Sequence, residues 1–170
     1  MGDREGNLRR AISAIGARMR LVAMSSVYET EPMYREDQDW FLNCVVVAET
    51  DVEPVALLGW LKETEMKMGR DQQAARNAPR VIDMDILFYA ERVISGPSLQ
   101  VPHPGVAERA FVLVPLQEVR PLLVHPVLRK SVTELLDELR TGKEVVKVPH
   151  LLSGFLPSPP RRPEPPAASP

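Results

Sequence analysis

Ala78-Pro79-Arg80-Val81-Ile82-Asp83-Met84-Asp85-Ile86-Leu87-Phe88 is the stretch on which the fold of this chain turns. Its β-branched and aromatic residues predict a strand over Val81 to Tyr89. Side chains on a strand alternate faces, so Asp83 and Asp85 share one face with α-carbons about 6 to 7 Å apart. Ile82, Met84 and Ile86 then take the opposite face into a core, which is how an apolar strand can carry two acids. Two like charges so close repel, and magnesium is the economical remedy because it binds carboxylate oxygen while keeping phosphate and water ligands. Arg70, Arg76 and Arg80 lie in and beside a polar, alanine-containing segment, Arg70 to Pro79, that reads as a mobile loop from which they could fold over a triphosphate. An isolated Asp-x-Asp pair is weak evidence, and three loop arginines are as readily explained by solvation.

Upstream, Leu8, Ala11, Ile12, Ile15 and Met19 recur at helical spacing, so a helix is expected from about Glu5 to Arg18. Leu21 to Thr30 reads as a strand ended by Glu31-Pro32, and Phe41 to Thr50, with Val45-Val46-Val47, as a buried second strand. Pro54 opens a second helix, followed by Leu57, Leu58, Leu61, Glu65 and Met68 and closed at Gly69. Downstream, Glu91-Arg92 is expected to turn a short hairpin from Val81 to Tyr89 into Val93-Ile94, and Leu99 to Val101 to supply another short strand before Pro102-His103-Pro104. Ser131-Val-Thr-Glu134 is a capping box opening a short helix through Leu139.

The 170 residues are 44% hydrophobic and 26% charged, enough for one domain, placed at 1–150. Residues 151–170 hold 7 of the 17 prolines and read as a disordered, solvated tail. A net charge of -2 gives no bulk positive field for nucleic acid. No apolar run is long enough to span a membrane, and the first residues form no signal core. Cys44, the only cysteine, lies in an apolar run and is expected to be a buried inert thiol, which fits a cytoplasmic location.

Several separated segments then coincide: Ser26-Val-Tyr-Glu-Thr-Glu-Pro32, Phe41-Leu-Asn43, Glu65 with Gly69-Arg70, Pro79-Arg-Val-Ile-Asp-Met-Asp-Ile-Leu87, Val101-Pro-His-Pro104, and Arg109 with Phe111. In this order they resemble the 6-hydroxymethyl-7,8-dihydropterin pyrophosphokinase family over roughly Gly2 to Pro121. The resemblance implies transfer of pyrophosphate from ATP to the pterin, with AMP released, in folate biosynthesis. It implies that Asp83 and Asp85 hold two magnesium ions and that Arg70 and Arg80 are mobile catalytic cations. His103, Arg109 and Ile86 would contact ATP. Phe41 and Phe111 would sandwich the pterin, while Asn43 and groups near Thr30, Glu31 and Met33 would read its edge. Each of these has a plain alternative: either phenylalanine as core, Asn43 as a turn cap, and His103 as a rigid loop residue between prolines. His125, His150, Trp40 and Trp60 match no family site.

The fold implied is α+β and ferredoxin-like, a mainly antiparallel sheet with helices packed outside it, acting as a monomer on small molecules alone. Two departures stand out. Lys62 occupies a position where a glutamine often contacts the nucleotide, and Met1-Gly-Asp-Arg4 joins the family pattern inside its opening loop, so that the first strand is expected to be missing. An upstream start would supply that strand, or Glu144 to Val148 would take its place. The rival reading is a catalytically impaired member that binds pterin, nucleotide or a partner.

Overall fold

The computed structural model describes residues 3–31, 40–69, 81–140, 144–149 and 151–152. Its helices are α1 (Arg4–Arg18), α2 (Pro54–Lys67), α3 (Ala110–Val119) and α4 (Val132–Glu138). Its strands are β1 (Arg20–Met24), β2 (Val27–Thr30), β3 (Phe41–Asn43), β4 (Val46–Glu49), β5 (Ile94–Ser95), β6 (Gln100–Val101) and β7 (Val145–Val148). All pairings between these strands are antiparallel, and the architecture is α+β.

The two strands expected after α1 are one long hairpin broken in its middle. β1 pairs with β4 and β2 with β3. At the break, the Ser25 amide donates to the Val45 carbonyl and the Ser25 hydroxyl accepts from the Val45 amide, both at 2.9 Å, so the break leaves these polar groups satisfied. Residues of β2 and Ser26 just before it divide between two layers. Val27 is buried against Leu8 and Ile12 of α1, whereas Ser26 and Tyr28 reach Glu118 of α3. The period of two along a strand thus seats this sheet between two helices.

α1 begins where the Asp3 carboxylate accepts from the Gly6 amide at 2.8 Å and buries Leu8, Ala11 and Ile12, as its spacing predicts. α2 begins with Pro54 at its first turn and ends at Lys67, and the chain leaves it through Gly69, whose φ of 100° suits a residue without a Cβ. The capping box is present: Ser131 and Glu134 satisfy each other's backbone amides.

Three expectations need correction. Val81 to Tyr89 forms no strand: among the described residues β4 pairs with β1 alone, and a cavity of about 680 Å³ separates it from this segment. Leu8, Ala11, Ile12, Ile15, Leu57 and Leu61 line the cavity from the α1 and α2 side. In place of a ladder, the Met84 amide donates to Glu65 at 2.6 Å, its carbonyl accepts from Lys62 at 3.2 Å, and the Leu87 carbonyl accepts from the His103 amide at 2.9 Å. Secondly, β5 pairs with β6, so the hairpin forms between Val93-Ile94 and Leu99 to Val101. Thirdly, Glu144 to Val148 takes no place in the cavity: β7 pairs with β2, giving the order β3-β2-β7. Beyond these, the last two described residues pack on the domain. Leu152 is buried with Leu8, Ile12 and Val27, and the Leu151 carbonyl accepts from Arg9 at 2.5 Å.

α3 was not foreseen, because Pro115 interrupts its apolar run Phe111-Val-Leu-Val-Pro-Leu116. Its fully buried Leu113 and its Val112 and Leu116 pack with Val132 and Leu135 of α4 and with Val106 and Val45. The burial of three large apolar side chains at helical spacing outweighs the one hydrogen bond that a proline removes.

Candidate active site

Asp83 and Asp85 are exposed, with side-chain accessibilities of 43% and 42%, while Met84 and Ile86 between and after them are 8% exposed. The alternation expected of a strand is therefore present without the sheet. Met84 and Ile86 pack on Leu57 and Leu61 of α2, which fixes the segment's apolar side and leaves both carboxylates on the other. Ile86, expected to contact ATP, has its side chain in this core, so only its backbone could do so.

One ammonium faces both acids. Lys62 Nζ lies 3.5 Å from Asp83 Oδ1 and 3.8 Å from Asp85 Oδ1. It is held from behind by Glu65 Oε1 at 2.9 Å, a carboxylate that is wholly buried. Glu65 also receives the Met84 amide, so it joins α2 to the acid-bearing segment. The acid pair suits magnesium. Among the described residues no group of three or more His, Cys, Asp or Glu side chains could form a cage, whereas two exposed carboxylates leave most positions for substrate oxygens and water.

The β5–β6 hairpin delivers the chain to His103. Its amide is tied to Leu87, and its Nδ1 accepts from the Gly105 amide at 3.1 Å, so the neutral ring carries its proton on Nε2. Burial lowers its pKa first; Asp85 and Asp83 pull it up, and Arg109 and Lys62 push it down. These five side chains share one electrostatic neighbourhood. Arg109 lies across Gly105, where an added Cβ would stand 2.5 Å from its Nε, and its guanidinium sits 5.8 Å from the centre of the Phe111 ring.

The remaining candidates sit on the sheet and on α3. Tyr28, Thr30, Phe41 and Asn43 share a face: Tyr28 is opposite Asn43 and Thr30 is opposite Phe41. The Asn43 amide donates to the buried Thr30 hydroxyl at 2.7 Å, which fixes the carboxamide, while Phe41 remains 41% exposed. Phe111 and Glu118 are two helical turns apart on α3. Glu118 accepts from Ser26, Tyr28 and Lys147, binding that helix to this sheet face. Burial, its strongest single influence, raises the Glu118 pKa, but these donors together bring it down to about 2. Glu31 is half-buried at the end of β2. Met33, Arg70, Arg76 and Arg80 lie outside the described residues.

Sequence reasoning missed Lys62 as a partner of the acids and missed Glu118 altogether. Lys62 and Glu65 are three residues apart on a helix, a spacing that pairs them and could have marked the couple. Glu118 carries no such local signal, since its partners are 29 to 92 residues away.

Comparison with known proteins adds a family. Residues 1–121 match the model of the 7,8-dihydro-6-hydroxymethylpterin-pyrophosphokinase family. The chain is 37% identical over 138 residues to a 2-amino-4-hydroxy-6-hydroxymethyldihydropteridine pyrophosphokinase of Aquifex aeolicus, covering 81% of this chain and 86% of that protein. Identity is 43% over 126 residues to the protein of the same name from Methylorubrum extorquens, covering 73% and 79%. It is 35% identical over 149 residues to the folic acid synthesis protein FOL1 of Dictyostelium discoideum, covering 88% of this chain but 22% of that one. The chain thus spans a small part of FOL1 and most of the two bacterial relatives.

Proposed function

Because this chain belongs to the 7,8-dihydro-6-hydroxymethylpterin-pyrophosphokinase family, we propose that it transfers pyrophosphate from ATP to 6-hydroxymethyl-7,8-dihydropterin and releases AMP. The observation that carries the reading is the exposed Asp83–Asp85 pair on one side of a segment whose Leu87 carbonyl holds the His103 amide at 2.9 Å.

In this reading Asp83 and Asp85 hold magnesium, two ions by the family's pattern, which when bound neutralises and aligns the triphosphate. The chain's own groups do the rest. Phe41 and Phe111 take the two faces of the pterin, and the Asn43 carboxamide, fixed by Thr30, reads its edge with groups near Glu31 and Met33. His103, through Nε2, and Arg109 receive phosphate oxygens, and backbone near Ile86 reads the nucleotide. Arg70 and Arg80 offset charge as the pterin hydroxymethyl oxygen attacks the β-phosphorus and AMP departs. We assign no general base. A monomeric chain in the cytoplasm acting on these two small molecules, with no nucleic acid or membrane partner, completes the proposal.

The finer fold we infer is ferredoxin-like, with a strand position between β4 and residues 81–90. The cavity there, lined by both segments and by α1 and α2, supports it. An apolar β-forming segment supplied at that position should raise the melting temperature. The same cavity favours a second reading, in which substrates bind but turnover is impaired because the acid-bearing segment has no ladder. AMP release that depends on both magnesium and 6-hydroxymethyl-7,8-dihydropterin tests the first reading. Binding of both substrates without AMP release would establish the second; binding of neither would refute both.

A further inference from the structure

We propose that Lys62 is a positioning residue that holds the cation position of the acid pair and admits magnesium together with the nucleotide rather than alone. The proposal rests on reading Asp83 and Asp85 as metal ligands. Its four contacts differ in kind. The bonds to Glu65 at 2.9 Å and to the Met84 carbonyl at 3.2 Å are hydrogen bonds to buried or backbone groups. The approaches to Asp83 and Asp85, at 3.5 and 3.8 Å, are looser ion pairs to half-exposed carboxylates. The ammonium is thus anchored on the α2 side and leans on the acids, so it can stay on Glu65 while the acids take another partner.

The charge it contributes discriminates between two forms of the metal. A bare divalent cation entering between the two carboxylates must approach a fixed positive charge and displace two ion pairs. Magnesium bound to a triphosphate arrives as a net anion, and the same ammonium attracts it. The half-exposure of Lys62 and of both acids keeps each pair modest, so the discrimination is a matter of several-fold rather than of orders of magnitude.

Manganese(II) is the probe, followed by electron paramagnetic resonance on the full chain with and without α,β-methylene-ATP. Lys62→Met should bind free manganese about three- to tenfold more tightly than the parent. It should also lose much of the increase in affinity that the nucleotide brings, while Lys62→Arg stays near the parent. Folded Lys62→Met that binds free manganese no better than the parent overturns the proposal and leaves the acid pair as the metal site. Parent protein that binds no manganese even with the analogue, or binds it equally after Asp83→Ala, overturns the site itself and the proposal with it. Should Lys62→Met fail to fold, the parent with ¹³C-dimethylated lysines decides: the Lys62 signal must shift when magnesium and the analogue are added together, and a static signal refutes the role.

Discussion

Replacing Glu118 by glutamine removes one charge and little volume from the joint between α3 and the sheet that carries Thr30 and Asn43. Its Oε2 accepts from the Ser26 amide at 2.8 Å and the Tyr28 hydroxyl at 3.0 Å; its Oε1 accepts from the Ser26 hydroxyl at 2.8 Å and from Lys147 at 3.0 Å. A glutamine oxygen can keep one pair, and the better choice is the Ser26 amide with Tyr28, because the Ser26 hydroxyl can rotate to accept and Lys147 can swing into water. The loss is then the charge assistance and one exposed ion pair. A displacement from 4.5 to about 2 corresponds to about 3 kcal/mol at neutral pH. The side chain is 31% exposed, so we discount this to about 1 to 2 kcal/mol. The folded value lies below the unfolded one, so the contribution is complete above 4.5 and is lost as pH falls through about 2. At pH 3 less than about half should remain. Urea unfolding of parent and Glu118→Gln at pH 7 and pH 3 measures this. A difference below about 0.5 kcal/mol at pH 7, or one that does not shrink at pH 3, would refute the account of this joint.

Asp83→Ala or Asp85→Ala should lower AMP release by about two to three orders of magnitude with the unfolding midpoint nearly unchanged, since both side chains are exposed; near-parental turnover at saturating magnesium would remove them from the metal site. Gly105→Ala should displace the Arg109 guanidinium, which lies 2.5 Å from the new Cβ, and raise the KM for ATP while changing stability by less than about 1 kcal/mol. An unchanged KM would separate Arg109 from the nucleotide. Leu113→Ala, at a fully buried position, should cost about 2 to 5 kcal/mol in urea unfolding; a smaller loss would mean that α3 is not central to its core cluster. Arg70→Ala and Arg80→Ala should reduce kcat more than pterin affinity, and the opposite pattern in steady-state kinetics would move these residues from chemistry to binding.

What the sequence disclosed depended on how local each cause was. α1, α2 and the capping box of α4 follow from spacing within a few residues, and the structure has them. The alternation of Asp83 and Asp85 with Met84 and Ile86 is likewise local, and it appears even though the segment joins no sheet. Sheet membership is not local. It requires a partner, and neither the cavity beside β4 nor the pairing of β7 with β2 can be read from the strand's own residues. α3 was hidden by Pro115, whose effect is decided by burial that only the tertiary structure supplies. At the site, Thr30 and Asn43 are joined by antiparallel register. Lys62 reaches the acids because α2 packs on their segment, 20 or so residues downstream.

The pairing of β7 with β2 and the docking of Leu152 on α1 also set a clock for synthesis. Val27 pairs with Val148, and Arg9 reaches Leu151, so the outer edge of β2 waits until more than a hundred further residues have left the ribosome. At about 5 to 20 residues per second that is roughly 6 to 24 seconds. Throughout that interval the nascent chain presents an unpaired β edge beside the apolar face of α1, the kind of surface that recruits other strands. The contact that completes the sheet is therefore also the one that ends its exposure to aggregation, and crowded polysomes or slow codons between α3 and β7 would lengthen the risk without altering the finished fold.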